Sequence, residues 1–325
     1  MKTPPKIVAL GAGRMGRGIA QVFAYAGFKV TIIDFKKRKK DASIALLAEC
    51  KSEIKENLKF LASLEALKLE EIPTILERIH TISIENARES LANADYVFEG
   101  VPELIHAKED AIRRASSLVS DQTIIASTTS TMLVTQLMEF SSYPENFLNA
   151  HFLNPAYLIP LVEVSPSDIT DKKNIDKFLK LLDSIGKVPV ICKASPGYIV
   201  PRFQSLIMSE AARMIEEGVA SAEDIDRAVT TGFGIRYATM GPVEFIDWGG
   251  LDILYYANSY LAKNIDERFK APKIINDMMK KGQLGMNHGK GFYDFENMDV
   301  DTYKREKLST FIALLNHLDL MPKKA

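Results

Sequence analysis

Cysteine is scarce in this sequence of 325 residues, which contains only Cys50 and Cys192. Two widely separated thiols exclude a disulfide framework and a cysteine-rich zinc centre. Histidine, the other common zinc ligand, occurs five times and without the spacing of a ligand set. We therefore expect a functional site without a metal ion.

The sequence also lacks an excess of charge, since 41 Lys and Arg face 42 Asp and Glu and the formal net charge is −1. This balance argues against nucleic acid as a partner. No apolar run approaches the ~18 residues that span a bilayer. Because the first predicted strand begins close to Met1, we expect no signal peptide and a cytoplasmic location without membrane attachment.

A glycine motif stands between two apolar segments near the start of the chain. Lys6–Leu10 is followed by GAGRMG, which runs from Gly11 to Gly16, and the second segment is Lys29–Ile33. In a dinucleotide-binding unit the first glycine permits a tight turn and the second lets backbone approach a pyrophosphate. The third lets helix and strand pack closely. These roles fall on Gly11, Gly13 and Gly16.

The same unit predicts the cofactor. Arg14 and Met15 open the following helix, whose N-terminus directs N–H groups and the positive end of its dipole at an anion. Asp34 stands eighteen residues after Gly16, where a carboxylate accepts hydrogen bonds from a ribose 2′-hydroxyl and repels the 2′-phosphate of NADP. We therefore predict NAD. The basic run 36–40 is either a solvated surface or a contact for phosphates of NADP or a coenzyme A ester.

Apolar strands alternate with amphipathic helices up to residue 193, which predicts a Rossmann-type, doubly wound α/β sheet. The predicted strands are Lys6–Leu10, Lys29–Ile33, Ile79–Ile82, Tyr96–Phe98, Thr123–Ala126, Phe147–His151, Leu161–Val164 and Val188–Ile191. A long charged helical stretch, roughly Ala42–Leu76, lies between the second and third strands and suggests a helical excursion from the sheet. Its lysines, Lys59 among them, form either a solvated face or contacts to a phosphate-rich substrate.

Beyond Ser195-Pro196-Gly197 the pattern is helical throughout. The predicted helices are Gln204–Glu217, Ala222–Thr231 closed by Gly232, Val243–Asp247, Asp252–Asn264, Pro272–Lys281 and Thr302–His317. The sequence thus predicts an NAD-binding domain over residues 1–193 and an all-helical domain over 194–325.

Candidate catalytic groups follow the strands, where doubly wound sheets bind ligands. His151 ends the sixth predicted strand and Glu163 lies in the seventh. Imidazole is suited to general-base catalysis near neutral pH, and a neighbouring carboxylate would fix its tautomer. A histidine packed at a strand end is an equally good interpretation of the residues alone.

Polar residues close two further strands. Glu99 and Glu103 follow the fourth strand and line the nicotinamide side of the cleft in one interpretation. In the other, Glu103 is a first-turn acid of the next helix. The hydroxyl cluster 127–131 either caps the following helix or places a hydroxyl on the reacting oxygen.

Taken in order, these motifs resemble the L-3-hydroxyacyl-CoA dehydrogenase family over nearly the whole chain. The resemblance rests on the glycine motif, FEGVPE at 98–103, IASTTS at 125–130, HFLNP at 151–155, LVEV at 161–164, SPGYIV at 195–200, EEGVASAEDID at 216–226, MGPVE at 240–244 and GKGFY at 289–293. It implies an NAD-dependent enzyme of fatty acid metabolism with His151 as base, Glu163 as its partner and Ser130 bonded to the substrate 3-oxygen. It also implies a homodimer formed through the helical domain.

Departures from the family pattern cluster around the substrate. Thr128 replaces an Asn, Pro201 takes the place of the Asn that follows Pro-Gly-Phe-Ile-Val, and Tyr157 and Pro160 replace a Pro and a Lys. We predict a short-chain L-3-hydroxyacyl-CoA such as 3-hydroxybutyryl-CoA as substrate. The alternative is a free hydroxy acid such as L-carnitine or L-gulonate, whose carboxylate Arg236 would bind bidentately. A dinucleotide-binding protein without catalysis is a third interpretation, motivated by Pro201.

Overall fold

The computed structural model describes residues 4–323, and within them one eight-stranded sheet has the order β3-β2-β1-β4-β5-β6-β7-β8. The strands are β1 (Ile7–Leu10), β2 (Val30–Asp34), β3 (Ile79–Ser83), β4 (Tyr96–Glu99), β5 (Ile124–Ser127), β6 (Phe147–Phe152), β7 (Leu161–Pro166) and β8 (Val188–Ile191). β6 and β7 are antiparallel, and the other neighbouring pairs are parallel. The predicted Rossmann-type sheet is confirmed, and each predicted strand end lies within two residues of the observed one.

Helices cover both faces of this sheet. They are α1 (Arg14–Tyr25), α2 (Lys40–Ser63), α3 (Ile72–Glu77), α4 (Ala87–Ala92), α5 (Ile105–Ser116), α6 (Val134–Leu137) and α7 (Lys172–Ser184). Ile7 and Ala9 of β1 face a buried cluster shared with α1, α2, α3 and α7, while Val8 and Leu10 face a second cluster shared with α4, α5 and α6. Alternate side chains of a strand point to opposite faces, so both faces need an apolar cover. The continuous apolar runs of the strands follow from this.

The helical stretch predicted over Ala42–Leu76 consists of two helices, α2 and α3, with a break between them. α2 ends at Ser63, Glu65 takes a left-handed conformation with φ +60°, and the N–H of Ala66 donates back to the Leu61 carbonyl. Such a backbone turn satisfies the last carbonyls of a helix and stops it. Pro73 then stands in the first turn of α3, where the missing N–H of proline costs nothing.

The remaining helices are α8 (Val200–Glu216), α9 (Ala222–Ala228), α10 (Gly234–Tyr237), α11 (Pro242–Gly249), α12 (Leu251–Asn264), α13 (Lys273–Lys280) and α14 (Val300–His317). The chain divides into two compact units between Ile207 and Met208, within α8. The boundary that we predict after residue 193 stays a prediction. Within residues 4–323, no helix is both long and apolar enough to cross a membrane.

The predicted stop at Gly232 is wrong. After α9, a wide helical turn over Val229–Phe233 leads directly into α10, and Gly232 within it has φ −107° and ψ −105°. The glycine therefore distorts the helical path without ending it. In glycine this costs little because the residue has no Cβ.

Candidate active site

A cavity of about 540 Å³ lies at the edge of the sheet where β1, β2, β4, β5 and β6 end. We call it the main cavity. Its walls include Gly11–Met15, Arg17, Asp34–Lys36, Arg38, Leu46, Gly100–Glu103, Thr128, Ser130, His151, Phe152 and Asn154. Five loops that are distant in sequence meet there because parallel strands bring their carboxyl ends to one edge. The structure thus brings together most of the site residues predicted from the sequence.

The glycine motif forms one wall. Gly11 has φ +97°, and a Cβ on Gly16 would lie 1.9 Å from the Gly11 carbonyl oxygen, so neither position accepts a side chain. A Cβ on Gly13 meets no described atom within 4 Å, and among residues 4–323 no side chain caps α1. The first N–H groups of the helix therefore lie beside open space. This arrangement fits the pyrophosphate of a dinucleotide.

We expect Gly13→Ala to fold normally and to bind NAD on the order of tenfold more weakly, because the new methyl fills only the space that phosphate requires. Gly13 has the extended angles φ −85° and ψ −174°, which alanine also adopts. Calorimetric titration of NAD and the thermal midpoint check the two parts. Unchanged affinity would mean that the pyrophosphate does not approach Gly13.

Asp34 is almost fully buried at the end of β2. Its Oδ2 accepts from the Ser43 hydroxyl at 2.7 Å, and its Oδ1 accepts from Arg38 Nε at 3.1 Å. Lys36 and Arg38 line the main cavity with it. Part of the basic run 36–40 therefore faces the cavity, beside Asp34, the residue predicted to bind the ribose.

His151 and Glu163 are direct partners across the antiparallel pair β6–β7. His151 Nδ1 lies 2.8 Å from Glu163 Oε2, and Glu163 is fully buried. Its other oxygen, Oε1, accepts from the backbone N–H groups of Ile199 and Val200, each at 2.8 Å. A carboxylate held in this way fixes the Nδ1–H tautomer of the imidazole, which leaves Nε2 as the basic nitrogen in the cavity wall.

Ser130 lies in a turn organised by Glu103. Glu103 Oε1 accepts from the backbone N–H groups of Ser130 and Thr131 at 3.1 Å, and from the hydroxyls of Thr129 and Thr131. Burial raises the pKa of Glu103, but the hydrogen bonds from both threonines and the Lys108 ammonium outweigh it, so this pKa lies below its ordinary value. The first-turn interpretation of Glu103 is wrong, because α5 begins two residues later at Ile105.

The capping interpretation of the hydroxyl cluster is also wrong. α6 begins at Val134, and the residue before it is Leu133, whose side chain has no polar atom. The hydroxyl of Thr129 instead accepts from the N–H of Met132 inside the turn. The cluster therefore shapes the cavity wall.

Glu99 lies beneath the main cavity and does not line it. Its carboxylate accepts twice from Lys108 Nζ at 3.0 Å, from the Ser127 hydroxyl at 2.5 Å and from the N–H of Val101 at 2.8 Å. The side chains of Lys108 and Glu99 are both fully buried. Lys108 is not predicted from the sequence. Its spacing to Ala111, Ile112 and Ala115 places it on the buried face of α5, and this pattern could have indicated a buried lysine.

Two further residues, Lys59 and Arg236, are predicted to contact the substrate. Lys59 is exposed on α2 and pairs with Glu56 at 2.9 Å, as a solvated face would. Arg236 belongs to the second unit, where its guanidinium lies 4.2 Å from the centre of the Phe245 ring. Its role as a carboxylate ligand stays a prediction. Pro201 is in the first turn of α8, where a proline does not interrupt the helix.

Comparison with known proteins decides the family. The model of the 3-hydroxyacyl-CoA dehydrogenase NAD-binding domain matches residues 6–195, and that of the 3-hydroxyacyl-CoA dehydrogenase C-terminal domain matches residues 197–295. The chain belongs to the 3-hydroxyacyl-CoA dehydrogenase family. It is an NAD-dependent oxidoreductase, and the resemblance seen in its motifs is confirmed.

Two relatives and one solved structure match this chain over most of their own length. Mitochondrial hydroxyacyl-coenzyme A dehydrogenase of Sus scrofa is 31% identical over 89% of this chain and 91% of its own. A 5-formyl-3-hydroxy-2-methylpyridine 4-carboxylate 5-dehydrogenase of Mesorhizobium japonicum is 28% identical over 96% and 98%. The crystal structure of a 3-hydroxyacyl-CoA dehydrogenase from Archaeoglobus fulgidus has a TM-score of 0.76 and 31% identity, over 98% of this chain and 100% of that one.

Proposed function

We propose that the chain oxidises a short-chain L-3-hydroxyacyl-CoA, such as 3-hydroxybutyryl-CoA, to the 3-oxoacyl-CoA. The observation that carries this proposal is the 2.8 Å contact between His151 Nδ1 and Glu163 Oε2 in the wall of the cavity that also contains the glycine motif. Loss of hydride from a carbinol carbon requires a base for the hydroxyl proton, and a carboxylate-oriented imidazole is such a base.

In the proposed mechanism His151 Nε2 removes the hydroxyl proton, and Glu163 stabilises the imidazolium that forms. The two N–H groups of Ile199 and Val200 hold Glu163 in place, so its charge stays directed at the imidazole. Ser130 donates to the oxygen that becomes the carbonyl. NAD, when bound, supplies the hydride acceptor, so that the substrate loses one hydride and one proton.

A free hydroxy acid is the second candidate substrate. Pro201 and Thr128 favour it, because each stands where the CoA-dependent pattern has an Asn near the substrate, so that the carboxamide of that Asn is lost. The Mesorhizobium japonicum relative, named for a pyridine carboxylate, matches 98% of its length. In this alternative the catalytic groups are the same and the substrate pocket differs.

The experiment that tests the proposal is a substrate panel. NADH formation is followed with 3-hydroxybutyryl-CoA, longer L-3-hydroxyacyl-CoAs, L-carnitine, L-gulonate and a hydroxymethyl pyridine carboxylate. We expect the highest kcat/KM with a short CoA ester. Preference for a free acid supports the second candidate, and Arg236→Met should then raise KM for that acid alone. Absence of turnover with every compound would favour a binding protein without catalysis.

For the cofactor, we expect Asp34→Ser to reduce the preference for NAD over NADP by about 10–100-fold, because it removes a carboxylate and leaves Arg38 for a 2′-phosphate. Arg38 donates to Asp34 in this structure, so the variant frees a guanidinium within the cavity. Dissociation constants for both dinucleotides, measured by fluorescence, check the change. Asp41→Ser on α2 is the matched control, and a wild type that already prefers NADP would contradict the interpretation of Asp34.

We also propose a homodimer formed through the helical unit. α12 exposes Ile253, Tyr256 and Tyr260 on one face, with 64%, 64% and 68% of each residue accessible. Contiguous apolar surface of this kind is typical of a protein interface. A cytoplasmic location and a role in fatty acid metabolism stay predictions.

We expect light scattering to give twice the protomer mass for the wild type and a single protomer mass for the double variant Tyr256→Glu/Tyr260→Glu. Two buried, unpaired carboxylates would destabilise the interface strongly. Lys280→Glu, on the exposed side of α13, introduces the same residue in the same unit and should leave the dimer intact. A monomeric wild type would refute the proposal.

A further inference from the structure

Tyr198 lies directly behind the candidate base, just before α8. Its ring stacks on the imidazole of His151, with centroids 5.4 Å apart and planes 16° from parallel. Only 5% of the residue is accessible. Its backbone has φ +44° and follows Gly197 at φ +72°. A non-glycine residue in this left-handed region is strained and persists where its surroundings hold it.

The hydroxyl of Tyr198 connects two other parts of the site. It accepts a hydrogen bond from Asn149 Nδ2 at 2.9 Å and donates one to the carbonyl of Thr129 at 3.1 Å. Thr129 belongs to the turn that contains Ser130. Asn149 stands two residues before His151 on β6, so its side chain is on the same face of the strand. Burial raises the pKa of the Tyr198 phenol, which keeps the hydroxyl a donor.

The two residues after Tyr198 hold Glu163, the partner of His151. The N–H groups of Ile199 and Val200 bind Glu163 Oε1. Three consecutive residues therefore fix the imidazole by its face and the carboxylate by its free oxygen. A phenylalanine at position 198 would supply the ring without the connection to the Ser130 turn.

We propose that Tyr198 is a positioning residue of the reaction: its ring holds the imidazole of His151, and its hydroxyl joins that ring to the turn of Ser130. The base and the donor to the reacting oxygen then keep one relative geometry, which catalysis of this kind requires to within a fraction of an ångström. This inference rests on the proposed roles of His151 and Ser130.

The first readout does not involve substrate. In histidine-labelled protein with NAD, ¹⁵N spectra of the imidazoles report tautomer and ring motion, and His151→Gln assigns the signal. We expect one narrow Nδ1–H form in the wild type and in Tyr198→Phe. We expect exchange broadening or mixed tautomers in Tyr198→Leu, which removes the aromatic face. A narrow, unchanged signal in Tyr198→Leu would overturn the role of the ring.

The second readout is turnover with the preferred substrate of the panel. We expect Tyr198→Phe to lower kcat by on the order of tenfold with little change in NAD affinity, since a small displacement of a catalytic group has effects of this size. Asn149→Ala should lower kcat as well. The double variant Asn149→Ala/Tyr198→Phe should be less than additive, because each single change already breaks the hydrogen bond between Asn149 Nδ2 and the Tyr198 hydroxyl. Additive effects, or a kcat equal to that of Tyr96→Phe, would overturn the role of the hydroxyl.

Tyr96→Phe is the matched control, because this tyrosine lies in the same unit, is half-buried and packs on Phe178 rather than on His151. The two readouts separate the inference from the proposed function. If Tyr198→Leu disorders the imidazole while turnover is unchanged, His151 is positioned by Tyr198 but is not the base, and the proposed mechanism fails. If kcat falls in Tyr198→Leu while its imidazole signal stays undisturbed, the positioning role of the ring fails and the mechanism stands.

Discussion

We expect His151→Gln to lower turnover by on the order of 10²–10⁴-fold and to leave NAD affinity nearly unchanged, because the amide cannot accept the substrate proton. Glutamine is similar in length to histidine and can still donate to Glu163 Oε2, which is 2.8 Å from His151 Nδ1 in the wild type. The glycine wall and Asp34 are not altered. The loss should therefore lie in kcat.

Stopped-flow measurement of NADH formation, with saturating substrate and NAD, tests this expectation at the chemical step. His106→Gln is the matched control, since this histidine is exposed on α5. Glu163→Gln should lose less than His151→Gln, because the base remains and only its orientation and the stability of its charged form suffer. Full turnover in His151→Gln with every substrate of the panel would exclude His151 as the base.

The sheet could be predicted closely from the sequence because its strands are short apolar runs bounded by glycine, proline and charge. Helix ends were harder. The sequence between Ser63 and Ile72 keeps a helical spacing of apolar residues, and the stop depends on Glu65 adopting a left-handed backbone, which no side-chain pattern requires. At Gly232 the predicted helix end is absent. Glycine often ends a helix, but here the helical path continues through Gly232 and is only distorted.

The candidate site was predictable where chain order alone fixes geometry. The glycine motif, Asp34 and the facing positions of His151 and Glu163 follow from strand ends and from one antiparallel pair. Glu99 does not line the cavity as predicted, because its carboxylate pairs with Lys108, which is nine residues away and on another element. The sequence does not predict the contact of Tyr198 with His151, because it requires the loop after β8 to return to β6.

The largest expected effect on stability concerns Lys108, at the base of the main cavity. Its ammonium and the Glu99 carboxylate are 3.0 Å apart, with 1% and 0% of their side chains accessible. Water cannot replace either partner at such burial. Lys108→Met therefore leaves a buried carboxylate with only the Ser127 hydroxyl and the Val101 N–H as donors, which costs about 3–5 kcal/mol.

We expect a lower thermal midpoint for Lys108→Met and weaker NAD binding, because Lys108 also lies 3.4 Å from Glu103 in the cavity wall. Arg113→Met removes an exposed ion pair with Glu109 from the same helix and should change stability by less than about 1 kcal/mol. The double variant Glu99→Gln/Lys108→Met decides the cause. If the uncompensated charge is responsible, neutralising Glu99 restores much of the lost stability, whereas a loss due only to altered packing persists or grows in the double variant.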